Sequence, residues 1–174
     1  MRPLVFAATL TAASCGPGAA MTAPVELQGL VKNQRPAGCS DYGFLVWDLY
    51  RAELWSDATD LPGDAYALSL TYRTEFSRSE LVDSSVEEMV RLSGRPLPSL
   101  EEARTEMEQA FRDVAPGDRI TAWRVGRDLL RLFVNGQETG ALTRDVDLFL
   151  SIWLGESTRH PEGRATLLEG RCDG

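Results

Sequence analysis

Residues 133–158, FVNGQETGALTRDVDLFLSIWLGEST, constrain the fold more than any other stretch of this chain. Asn135-Gly136 is the dipeptide that best tolerates the positive φ angles of a two-residue hairpin, so one strand must end there and another begin. The second strand runs into Thr143, a residue type that caps helices, and Gly155 stands where a C-cap glycine falls. Between them Val146, Leu148, Phe149, Leu150, Ile152, Trp153 and Leu154 make a helix apolar on nearly every side. A helix of that kind has to be covered all round, so it predicts a core element. A carboxylate at Leu148 or Phe149 is expected to prevent folding.

The rest of the chain supplies the sheet and more helices. Val25 to Lys32 is a weak strand pattern, and Phe44 to Trp55 a strong one, apolar on both pleat faces and therefore central in a sheet. Tyr66 to Phe76 alternates: Tyr66, Leu68, Leu70, Tyr72, Thr74 and Phe76 on a dry face, Ala67, Ser69, Thr71, Arg73 and Glu75 on a wet one. Ser77 with Glu80 and Ser99 with Glu102 are capping-box pairs, each opening a helix with a regular apolar stripe. The second helix has an acidic outer face (Glu101, Glu102, Glu106, Glu108) that reads as solvated surface. Pro116-Gly117-Asp118 then turns the chain into a meander of Arg119 to Val125, Leu129 to Val134 and Gln137 to Leu142, and a short helical run, Arg164 to Glu169, closes the chain. Strands, helices, strands and helices in that order predict an α+β fold, an antiparallel sheet with helices on one side.

A net charge of −8 on 174 residues argues against a nucleic-acid surface, which would normally be basic. The N-terminus reads as an address. Arg2 precedes Leu4 to Ala13, a run apolar except for two threonines and shorter than the roughly 20 residues a membrane span needs. It matches the apolar region of a secretory signal. Ala12-Ala13-Ser14-Cys15 then resembles the lipobox at which a bacterial lipoprotein receives its lipid; the other outcome is ordinary cleavage near Gly18-Ala19-Ala20. Residues 1–15 are thus a signal with a lipobox, 16–24 a flexible tether, and 25–174 one domain. The expected location is the periplasm or cell envelope, with the membrane reached through a lipid anchor if Cys15 is modified. Cys39 and Cys172 remain as an even pair, which in an oxidising compartment predicts a disulfide; two free thiols are the alternative.

Four segments carry a family resemblance. YALSLTYRTEFSRSELVDSSVEEM, the APGD turn, FVNGQETG and LFLSIWLGEST resemble the chalcone isomerase-like proteins, nearest to their exported bacterial branch. The resemblance covers roughly Tyr42 to Gly170, and its most specific part is the Asn-Gly turn followed by IWLG-x-x-T. It implies an open-faced β-sandwich: a large antiparallel sheet, a layer of helices on one face, and a cleft between them. Plant isomerases use a strand Thr, a Tyr, an Asn and an Arg in that cleft. Here Leu45 falls near the Thr, Arg78 or Ser79 near the Tyr, and Ser84 or Ser85 near the Asn. Arg35 is the nearest candidate for the Arg, so the isomerase set is not carried over and no catalytic residue is assigned.

Other chemistries find little footing. With one His and no clustered Cys or carboxylates at ligand spacing, neither a metal nor a cofactor is expected. His160, before Pro161, reads as a surface residue in a polar turn. The leading expectation is a non-catalytic binder of a fatty acid or another apolar small molecule, with Leu45, Trp47, Tyr72 and Arg73 as candidate ligand-binding residues. Tyr50, Trp55 and Tyr66 are further aromatics that fit either a cleft lining or plain core. The alternative is an isomerase or lyase with a rebuilt set of polar groups, for which Asp48, an acid inside an apolar run, is the one unusual candidate.

Overall fold

The structure, a computed structural model, describes residues 22–44, 47–95 and 98–172, with all their side chains but those of Phe44 and Trp47. The expected signal segment, Cys15, most of the expected tether and Leu45 lie outside the described residues.

Six strands form one antiparallel sheet in which each strand pairs with the next in the chain, in the order β1-β2-β3-β4-β5-β6. They are β1 (Gly38–Phe44), β2 (Trp47–Ser56), β3 (Tyr66–Tyr72), β4 (Arg119–Arg124), β5 (Leu130–Val134) and β6 (Gln137–Leu142). Helices α1 (Arg78–Ser93) and α2 (Ser99–Ala110) lie between β3 and β4 in the chain, and α3 (Val146–Leu154) and α4 (Pro161–Leu168) follow β6. Apolar residues of all four helices join those of the inner sheet face in one large core.

Local chemistry explains most boundaries. The Ser77 hydroxyl accepts from the Glu80 amide while the Glu80 carboxylate accepts from the Ser77 amide, and Gly94 ends α1 in the left-handed region. At the hairpin turn Asn135 and Gly136 take φ of 49° and 86°. A side chain at Gly136 would also meet Val25, so glycine is needed there twice over. The Asn135 side chain accepts from the Arg119 amide and donates to Asp118, locking this turn to the APGD turn at the start of β4.

Several sequence expectations are corrected. The Phe44 to Trp55 pattern is not one central strand: it belongs to a hairpin whose first arm, β1, lies at the sheet edge and was missed. Gly, Ser and Asp in GCSDYGF depress its intrinsic strand preference, and pairing with β2 overrides it. Val25 to Lys32 is no strand but a 3-10 turn (Val25–Leu27) followed by an isolated bridge between Gln28 and Val31. That segment lies against the outer sheet face, where Ala23, Leu27 and Val31 pack on Trp55, Ala67, Trp123 and Phe133. The expected wet face of β3 is therefore largely dry, with Ala67 and Ser69 fully buried. Ala23 and Pro24, at the end of the expected tether, are buried too.

The helix ends also differ. Ser99 is the first residue of α2 and Pro98 its N-cap, with no capping side chain. Proline already has a helical φ, and the Ser99 amide is one of the donors a helix start leaves free. Asp145, not Thr143, precedes α3. Thr143 instead binds the Glu106 carboxylate through its amide and hydroxyl, and Arg144 pairs with Glu102. Part of the acidic face of α2 thus holds the entry to α3. Helix α3 is not covered all round either: Val146, Phe149, Leu150 and Trp153 are buried, whereas Leu148, Ile152 and Leu154 are only partly so.

Candidate ligand-binding site

The three tyrosines that shape the site are placed by strand register. Tyr42 of β1 stands directly opposite Tyr50 of β2, and Tyr50 opposite Tyr72 of β3. Directly opposed residues share a face, so the rings form a row across three strands. Tyr42 and Tyr50 stack at 5.1 Å with planes 13° apart, Tyr50 and Tyr72 lie 5.7 Å apart, and Phe76 meets Tyr72 edge-on at 5.9 Å. Trp153 of α3 donates its indole N–H to the Tyr50 hydroxyl at 3.1 Å, tying the helix layer to the row.

Beside this row lies a cavity of about 290 Å³ between the inner sheet face and the helices. Leu68 and Leu70 of β3, Ile120 and Ala122 of β4, and Leu132 of β5 make its floor. Leu81 and Ser85 of α1 and Phe149, Ile152 and Trp153 of α3 make its roof. The wall is mostly apolar because both covering elements turn their hydrophobic stripes inward. The Ser84 and Ser85 hydroxyls donate to the Leu81 carbonyl within α1, which spends their protons locally.

Among the described residues the charged part of the lining lies at one rim, where Glu88, Arg159 and His160 join Tyr42 and Tyr50. The Glu88 side chain is only 12% exposed, and it accepts hydrogen bonds from Arg91 at 2.9 and 3.0 Å and from Arg159 at 2.7 Å. Burial alone would raise the Glu88 carboxyl, but the two guanidinium groups outweigh it and hold it below the usual carboxylate range. The phenols go the other way. Burial pushes Tyr50 up to about 12 against the Trp153 hydrogen bond, and pushes Tyr42 and Tyr72 higher still. All three are neutral hydroxyls at ordinary pH, suited to donating a hydrogen bond and unsuited to taking a proton.

Thr158, the last residue of the IWLG-x-x-T motif, fixes this rim. Its buried hydroxyl donates to the Ile152 carbonyl at 2.6 Å and accepts from the His160 amide at 3.3 Å. That one side chain closes the end of α3 and aims the next two residues at the cavity. Helix α4 then starts at Pro161 and packs on β1 so closely that a side chain at Gly163 would stand 2.8 Å from the Tyr42 hydroxyl. A disulfide between Cys39 and Cys172 ties the segment after α4 to β1, with the Cα atoms 4.6 Å apart.

The residues singled out from sequence fare unevenly. Tyr72 lines the cavity. Leu45 and the side chain of Trp47 lie outside what the structure describes. Arg73 is not on the cavity wall: its guanidinium binds Asp41 at 2.7 Å and Asp48 at 3.6 Å beyond the end of β3. Asp48 is not a buried acid, since 74% of its side chain is exposed beside the β1–β2 turn. Trp55 packs on the outer face, and Tyr66 sits in the core under the Arg124 guanidinium. Arg35 is exposed and away from the cavity. His160, read as plain surface, is a rim residue with its ring edge-on to Tyr42 at 5.1 Å. Sequence reasoning missed Tyr42, Glu88 and Arg159 as well. The Tyr42 signal was within reach, because YGF beside an aromatic strand is a hairpin arm once β1 is allowed.

These features define an α+β protein of the open-faced β-sandwich class, with a chalcone isomerase-like fold. Among solved structures, the crystal structure of a fatty-acid binding protein of Arabidopsis thaliana superposes with a TM-score of 0.56 at 13% sequence identity, covering 78% of this chain and 86% of that one. No family model and no curated protein matches the chain.

Proposed function

We propose that this protein binds a long-chain apolar molecule, such as a fatty acid, in the cavity between sheet and helices, and does not transform it. The cavity carries this reading. Folded interiors are close-packed, and few voids in them exceed a water molecule. A space of about 290 Å³ walled by Leu, Ile, Phe and Trp is therefore a site kept open for an apolar guest. Each methylene buried there contributes about 0.8 kcal/mol. The likeness in fold to a fatty-acid binding protein supports the same reading. The isomerase or lyase alternative loses Asp48 to solvent, and the buried phenols that remain are held protonated.

Residues 1–15 serve as an export signal in this reading, Cys15 as the lipid anchor, and the tether as the link to a domain held at the cell envelope. The Cys39–Cys172 disulfide is compatible with export to an oxidising compartment. Native mass spectrometry of protein purified without detergent should show a population heavier by one long-chain amphiphile, released on denaturation. A single unliganded mass that stays unchanged after incubation with palmitate would reject the reading.

A further inference from the structure

The charged rim says which end of an amphiphile the cavity would hold, and how. Among the described residues the charged or titratable side chains at that rim, besides the tyrosines, are Glu88, Arg159 and His160, with Arg91 behind Glu88. The two arginines are not equivalent. Arg91 grips Glu88 through both Nε and a terminal nitrogen and also donates to the Ser157 carbonyl at 2.7 Å, so it is built into the frame. Arg159 has a side chain 57% exposed, and its one ion pair among the described residues is the 2.7 Å contact to Glu88. Its backbone is flanked by the Thr158 hydrogen bonds, and among the described residues its guanidinium is held by the Glu88 pair alone. If Arg159 lets go, Glu88 keeps Arg91, so no buried charge is left without a partner.

We infer that Arg159 is the headgroup anchor for a long-chain carboxylate, and that Glu88 is its resting counter-ion, released when the ligand enters. This rests on the reading of the cavity as an apolar binding site. A guanidinium offers a planar fork that a ligand carboxylate meets with two parallel hydrogen bonds. His160, the next residue, lines the same rim with its ring edge-on to Tyr42. Glu88 occupies the anchor while the cavity is empty and competes with the incoming headgroup for it. Its charge therefore lowers affinity for an anion and leaves a neutral amphiphile of the same length unaffected.

Calorimetric titration of palmitate and of methyl palmitate into the wild-type protein and two variants separates these claims. Arg159→Gln should weaken palmitate about tenfold, the equivalent of about 1.4 kcal/mol, and leave the methyl ester unchanged. Glu88→Gln should strengthen palmitate several-fold and again leave the ester unchanged. Arg159→Lys, which keeps the charge without the fork, should fall between wild type and Arg159→Gln. If acid and ester bind alike in every protein, or Arg159→Gln weakens both equally, the anchor assignment is overturned while the apolar cavity stands. If wild-type protein binds neither, both readings fall together. Thermal melts of the variants check that each is folded, and the exposure of Arg159 makes that the expected result.

Discussion

The outer face of the sheet is closed by a short N-terminal segment that buries Ala67, Trp55, Trp123 and Phe133, whereas the inner face is covered by helices and still borders a cavity of about 290 Å³. On the outer side Glu26 reaches in from the 3-10 turn with a fully buried carboxylate. It accepts from Arg119 at 2.9 Å and from Thr121 at 2.6 Å, and Thr121 lies 3.0 Å from the Ser69 hydroxyl. The Glu26 carboxylate and the Thr121 and Ser69 hydroxyls are all hydrogen-bonded, and Leu27, Ala67 and Trp55 pack in the same layer. On the inner side, much larger elements leave room. The contrast shows that the void is no by-product of scarce apolar material. Sixteen-residue α1 and nine-residue α3 lie over the floor, and their Ser85, Ile152 and Trp153 frame the space without filling it.

Substitutions on the two faces should respond in opposite ways. The largest effect should come from Glu26→Ala. It strands the partly buried Arg119 and the Thr121–Ser69 pair, with an expected loss of about 3 kcal/mol in urea unfolding. A change under 0.5 kcal/mol would mean that the segment rests on the sheet without stabilising it. Next come two matched enlargements. Ala67→Leu, in the filled outer layer, should cost about 2 kcal/mol through overpacking. Ala122→Leu, over the cavity, should be absorbed with a change of less than about 1 kcal/mol. Equal costs at both positions would erase the difference between the faces.

Glu26 and Tyr50, one from each face, should act on opposite pH limbs. Although burial opposes it, hydrogen bonding to Arg119 and Thr121 holds the Glu26 carboxyl below its ordinary value of 4.5. Its stabilising contribution is complete above that value and is lost as pH falls through the lowered one. Glu26→Gln should therefore flatten the acid limb of a stability–pH curve. Burial raises Tyr50 from 10 to about 12, so its contribution is complete below pH 10 and fades as pH rises through 12. Tyr50→Phe should flatten the alkaline limb and leave the acid one alone. A variant that moved the opposite limb would contradict the titration assigned to that group.

Much of the fold was legible because its strongest cues are local. Asn135-Gly136, the Ser77–Glu80 box, the meander and the apolar run of α3 each follow from a few adjacent residues, and each is where the sequence places it. What failed depended on distant partners. Strand β1 exists because β2 pairs with it, and the Val25 to Lys32 segment is apolar because it covers Trp55, Ala67, Trp123 and Phe133, not because it joins the sheet. The site was less legible than the fold for the same reason. Glu88 looks like any solvent-facing helix residue until Arg159 arrives 71 positions later in the chain. Arg159 and His160 reach the rim only because Thr158 closes α3 and α4 docks on β1. Asp41, the nearer of the two partners that hold Arg73, sits in the strand that was missed.

The central claim is that the space above Leu70, Ile120 and Ala122 is held for a ligand. Its most direct test is a calorimetric titration of palmitate into wild-type protein and Ala122→Phe, whose ring would occupy that space. One saturable site in the wild type and none in a normally folded Ala122→Phe is the predicted result. Equal binding by both proteins, or no binding by the wild type, would contradict it.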